Sequence, residues 1–197
     1  MTPAEQSLLD VLRARSFRRA APGESFTLAS GEKSDYFIDG KMTAVSPEGA
    51  TLIGQVLYDL TKDDGIDAIG GLQVGAVPLV TAAVMTYHAH GRAVEGFWVR
   101  EAPKGHGTKK TIEGGLKPGS RVAIVDDVFT KGGSALKAAQ AAQEYGCEVV
   151  CVIALVDRLR GARELFEENG ITDYRAVFNV AEHFGVNVPS SPELATV

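Results

Sequence analysis

Two kinds of apolar pattern divide the chain. A β-branched run without alternation marks a strand buried on both faces of a parallel sheet; residues 122–125 are such a run, 149–156 read as a full apolar strand, and 66–71, 93–99 and 174–180 read as three further strands. Between them, apolar residues recur at helical spacing. Pro3–Arg15 carries Leu8, Leu9, Val11 and Leu12 on one side. Ser46-Pro47-Glu48 opens a second helix, with a cap, a first-turn proline and an acid at the positive end of the dipole, followed by Leu52, Ile53, Val56, Leu57 and Leu60. Further helices run through Val80, Ala83 and Val84, through residues 135–145 up to Gly146, and across Ala162–Glu168. Alternating strands and helices predict an α/β fold with a mostly parallel sheet. Residues 26–39 fit neither pattern and read as two short strand-like pieces about Ser30-Gly31.

Chemistry collects where strands meet helices. After the run 122–125 come Asp126, Asp127, Val128, Phe129, Thr130, Lys131, Gly132, Gly133 and Ser134. The glycines let the backbone bend and approach a ligand, and amides at a helix start point toward an anion. Two carboxylates beside a phosphate pocket repel phosphate itself but suit the hydroxyls of a phosphorylated sugar, or its divalent metal. No G-x-x-x-x-G-K-[ST] or G-x-G-x-x-G is present. The bland alternative is an Asx-type cap and a glycine turn. Gly71-Leu72-Gln73-Val74-Gly75 forms a second strand-to-helix junction, otherwise a tight connection. Residues 100–115, REAPKGHGTKKTIEGG, are long, glycine-rich and basic: either a solvated hairpin or a lid that brings cations to an anionic ligand. Asp157-Arg158 ends a strand, as an ion pair or as an arginine fork for a carboxylate.

Composition narrows this picture. With 197 residues and 45% hydrophobic content the chain can fill one α/β core. A net charge of −5 and a pI near 5.4 argue against nucleic acid or an acidic membrane as partner. No stretch approaches a membrane span or a signal-peptide core. Cys147 and Cys151, the only cysteines, read as reduced buried thiols of a cytoplasmic protein. Asp63 and Asp64 read as solvated turn residues, His88 and His90 as exposed helix-end residues, and 188–197 as a loose tail.

VAIVDDVFTKGGS resembles the phosphoribosyl-pyrophosphate (PRPP) signature of type I phosphoribosyltransferases. The segment F-T-L-x-S-G-x-x-S-x-Y-F, the lid around Arg100, Lys104 and His106, and L-x-D-R narrow the likeness to orotate phosphoribosyltransferases, over about residues 4–183. The resemblance implies a Rossmann-like fold in one domain: a hood from about residues 1–40 and parts of the C-terminal end, a core from about 41–180, and a mobile lid at about 100–115. It implies catalytic roles for Lys104, His106 and Asp127. PRPP would be bound by Arg100, Lys104, His106, Gln73, Val74 and residues 126–134. Orotate would be held by Phe37, Ile38, Thr130 and Arg158. Mg²⁺ would be met indirectly by Asp126 and Asp127, and a homodimer would place each lid over the neighbouring site. Ala29 and Glu101 stand where the family usually has lysine, and Val74 stands where some members have one. A phosphoribosyltransferase for another base, and a non-catalytic PRPP-sensing regulator, are the alternatives.

Overall fold

The computed structural model describes residues 1–27, 31, 33–101 and 111–188. Helix α1 (Pro3–Arg15) is fixed by a reciprocal cap: Glu5 donates its amide to Thr2 Oγ1 at 3.2 Å, and Thr2 returns its own to Glu5 Oε2. The apolar side of α1 is buried as its spacing predicts. Two antiparallel ribbons follow. β1 (Phe17–Arg19) pairs with β4 (Tyr36–Ile38), and β2 (Phe26–Thr27) pairs with β3 (Lys33–Ser34). Next come a five-residue helix, α2 (Gly40–Ala44), and α3 (Pro47–Thr61), capped by Ser46, whose Oγ accepts the Gly49 amide at 3.1 Å.

The remaining chain alternates as expected: β5 (Ala68–Leu72), α4 (Ala76–Ala89), β6 (Glu95–Val99), β7 (Ile112–Gly114), β8 (Arg121–Phe129), α5 (Gly133–Glu144), β9 (Glu148–Asp157), α6 (Ala162–Glu168), β10 (Tyr174–Asn179) and α7 (Val180–Phe184). Among the described residues the main sheet has the order β10-β9-β8-β5-β6-β7, parallel throughout except for β7 against β6. From β5 the chain steps outward to β6 and then crosses to β8 on the other side. The carboxyl ends of β5 and β8 therefore flank the switch point where such sheets open a crevice.

The pleat sends successive residues of β8 to opposite layers. Val125 joins Leu8, Ile53, Leu57, Leu79 and Tyr87 on the α1/α3/α4 side, and Ile124 joins Phe97, Ala138, Val152 and Phe166 on the α5/α6 side. Each such large side chain, fully buried, contributes roughly 1.5–3 kcal/mol of transfer free energy.

Several expectations change. β8 does not stop at Val125 but continues to Phe129, because β9 is long enough to ladder it as far as Asp157. Within the stretch 100–115, Ile112–Gly114 form edge strand β7 against β6, and 102–110 lie outside the described residues. β10 ends at Asn179, whose side chain accepts the Glu182 amide at 2.8 Å, so Val180 begins α7. Asp64 is not solvated like Asp63: it accepts Arg175 at 2.6 and 3.2 Å. Cys147 and Cys151 are buried free thiols, and burial pushes the second up to about 12. At the far end, Arg13 donates to the His183 carbonyl, and Arg19 to those of Phe184 and Gly185, so α1 and β1 are tied to α7. Among the described residues no helix is long and apolar enough to cross a membrane.

Candidate active site

Asp126 and Asp127 lie within β8 rather than in the turn after it. Both carboxylates nevertheless converge on Gly75, which precedes α4. A Cβ at that position would stand 2.7 Å from Asp126 Oδ1 and 2.8 Å from Asp127 Oδ1, so a side chain there would have to push both carboxylates aside. The Asp127 amide donates to Asp126 Oδ1 at 3.0 Å, and the Val128 amide to Asp127 Oδ1 at 2.9 Å. From the other side Gly40 presses on Asp127, where a Cβ would come within 2.7 Å of the aspartate's own Cβ. Lys41 Nζ lies 2.8 Å from Asp39 Oδ1 and 3.6 Å from Asp127 Oδ2. Burial, and then the Asp127 charge, push Asp126 up to about 7 against the pull of the Asp127 amide and Lys41.

Beyond β8 the chain turns through Thr130 and exposed Lys131. Gly132 adopts φ +75°, and a Cβ on it would come 2.8 Å from Phe166 Cζ. Helix α5 then begins at exposed Gly133 with no side-chain cap, leaving first-turn amides to face an anion. Val128 and Phe129 belong to the floor. The Phe129 ring packs 5.6 Å from Phe166 and 6.0 Å from Tyr174, and Val128 packs against the opposite core layer. At the second junction the Gln73–Val74 peptide is cis, Val74 is 69% exposed, and α4 also starts without a side-chain cap. Both open helix starts thus flank the switch point.

Arg158 stands one residue past β9, its amide donating to the Phe129 carbonyl at 2.9 Å. Its side chain does not pair with Asp157, whose Oδ1 accepts the Leu159 amide at 2.8 Å instead. The guanidinium donates Nε to Tyr36 Oη at 3.0 Å and Nη2 to Ser34 Oγ at 3.4 Å, with its carbon 4.7 Å from the Tyr36 ring centre. Among the described residues it makes no ion pair, although it is only 7% exposed. A buried charge so held keeps donors for an anion. In the β1–β4 ribbon the Asp39 amide donates to Ser16 O, which makes Phe17 and Ile38 a non-hydrogen-bonded pair. The amide and carbonyl of Ile38 therefore point away from β1, while its side chain is buried. Phe37 is 38% exposed, its ring 5.7 Å from that of Phe26.

Arg100 is half-buried, with Nη1 3.9 Å from Glu113 Oε1 and its Nε unpartnered among the described residues. Lys104 and His106 fall in 102–110, outside the described residues, as does Ala29. Lys41 carries no motif signal in the sequence, and Ser34 and Tyr36 lie within F-T-L-x-S-G-x-x-S-x-Y-F, where spacing alone assigns them no partner. Among the described residues there is no cluster of three or more acids, histidines or cysteines fit to cage a metal.

An acid pair and two uncapped helix starts at the switch point, with a buried cation alongside, define the class: this is the type I phosphoribosyltransferase fold. No family model matches the chain. It is 45% identical over 179 residues to an orotate phosphoribosyltransferase of Bradyrhizobium sp. (strain ORS 278), covering 89% of this chain and 94% of that one. The Aquifex aeolicus orotate phosphoribosyltransferase is 44% identical over 177 residues, 90% and 96% of the two chains. The Mycobacterium tuberculosis orotate phosphoribosyltransferase in complex with PRPP superposes with a TM-score of 0.75 at 35% identity, covering 93% of this chain and all of that one. The chain belongs to the orotate phosphoribosyltransferase family.

Proposed function

We propose that the protein transfers the 5-phosphoribosyl group of PRPP to orotate, giving orotidine 5′-monophosphate and pyrophosphate in pyrimidine biosynthesis. The observation that carries the reading is the placement of Arg158. A guanidinium buried without an acid among the described residues, beside a crevice that already presents an acid pair and open helix starts, fits a carboxylated base next to a phosphosugar.

The 5′-phosphate sits on the amides of Gly133 and Ser134 with Thr130, and this remote contact supplies binding energy. Asp126 and Asp127 accept the ribose hydroxyls. Gln73, Val74 and the start of α4 face the diphosphate, with Arg100. Arg158 holds the orotate carboxylate, the free backbone groups of Ile38 meet the base edge, and Phe37 covers its face. N1 of the orotate anion bonds to ribose C1 as the bond from C1 to the diphosphate oxygen breaks, and the electron pair leaves with pyrophosphate. Positive character grows on the ring and negative charge on the leaving group. Asp127 favours the first. Arg100, with Lys104 and His106 of the lid, favours the second.

Two adjacent carboxylates that converge on one point offer hard oxygen donors and fit Mg²⁺ held partly through water. Bound there, Mg²⁺ adds positive charge next to the diphosphate. The lid closes over the site of a second copy in a homodimer and keeps water from PRPP. Hood, core and lid form one domain, and the buried free thiols suit the cytoplasm.

The test mixes protein, Mg²⁺, PRPP and orotate and follows loss of orotate absorbance. Turnover is expected. Turnover with uracil or a purine but none with orotate would overturn the assignment.

A further inference from the structure

The acid pair poses a problem for its ligand. Asp127 and Asp39 both lie within reach of one ammonium, with Asp126 beside Asp127, so negative charge gathers where the proposed sugar diphosphate would bind, and like charges at such range disfavour an anionic guest. Among the described residues only Lys41 forms ion pairs with this group.

We propose that Lys41 is a positioning residue of the PRPP site, holding Asp127 and offsetting its charge while Asp39 tethers the ammonium. The idea rests on the proposed reaction for the identity of the ligand, but its own support is geometric. Asp39 Oδ1 receives both the backbone amide of Lys41, at 3.2 Å, and its ammonium, at 2.8 Å, so the side chain is folded back over the start of α2. From there Nζ reaches Asp127 Oδ2 at 3.6 Å, on the carboxylate oxygen not used by the Val128 amide. Gly40, without a side chain, lets this turn lie against Asp127. The side chain of Lys41 stays 49% exposed, so it adds little to folding and stands at the mouth of the crevice.

The experiment compares wild type, Lys41→Met and Lys41→Arg by PRPP titration calorimetry without orotate, by steady-state kinetics and by melting temperature. Lys41→Met should weaken PRPP binding and raise its KM about tenfold, with the orotate KM and the melting point little changed. Lys41→Arg should restore most of the PRPP affinity, because it restores the charge. Wild-type PRPP affinity in Lys41→Met would overturn the proposal, as would a loss that tracks a lowered melting point and is not recovered by arginine. Failure of the proposed reaction itself would show differently, as a wild-type protein that binds PRPP without turning over orotate.

Discussion

The two edges of the main sheet treat charge in opposite ways. At the amino edge every arginine is answered. Arg121 Nη1 donates to Glu148 at 2.6 Å, its amide to Asp67 at 2.8 Å, and its guanidinium to the carbonyls of Asp64 and Gly65. Arg175 is gripped by Asp64 and Asp173, each at 2.6 Å at the closest, and donates to the Leu60 carbonyl. At the carboxyl edge the sheet ends in groups that the described residues leave unanswered: Asp126 crowded by Asp127, Arg158 without an acid, and two helix starts without side-chain caps. Charges serving only the fold find partners within the fold. The unbalanced ones mark where a ligand completes the structure.

Exchanging one arginine at each edge tests this contrast most sharply. Arg158→Met should lower kcat/KM for orotate by about a hundredfold or more, with a small change in melting temperature. An unaltered orotate KM would break the comparison. Arg175→Met should do the reverse, lowering the melting temperature by roughly 4–8 °C through the stranded Asp64 and Asp173 while leaving both KM values alone.

A smaller effect lies in pH. The folded protein keeps the Asp126 proton up to about pH 7, whereas the usual value is 3.8. Ionising it therefore costs stability progressively as pH rises through that window, and the full penalty is present above it. Asp126→Asn removes the penalty, so thermal unfolding should show a gain of about 3 °C at pH 8 and a lesser one at pH 5. An equal gain at both would mean the acid is not held neutral. Least of all, Glu148→Gln should shift melting by about 1 °C or less and leave kinetics unchanged, since its ion pair with Arg121 is exposed.

How far the sequence could be read follows from the same contrast. Unbroken β-branched runs announced β8 and β9, and helical spacing of apolar residues announced α1, α3 and α5, because burial imposes these periods locally. The extension of β8 through Asp126 to Phe129 was not legible, since polar residues end an apolar run even when the neighbouring strand keeps bonding them. β1 and α2 are too short for any period to register. The turn 130–134 was visible as spacing, but the burial of Phe129 beneath it depends on Phe166, far along the chain. The support of Arg158 by Tyr36 and Ser34 joins residues 122 and 124 positions apart, and nothing in either segment points to the other.

The tie between Arg13, Arg19 and the carbonyls of residues 183–185 has a consequence for biosynthesis. A ribosome releases α1 and β1 first and α7 only after some 165 further residues. The segment that carries Ser34 and Tyr36 is anchored by α7, through the Phe17 ring tilted against that of Phe184 at 5.1 Å as well as the arginines. A nascent chain can thus assemble β5 and β8, with Asp126 and Asp127, before the groups that steady Arg158 settle, which they do only when translation has passed α7.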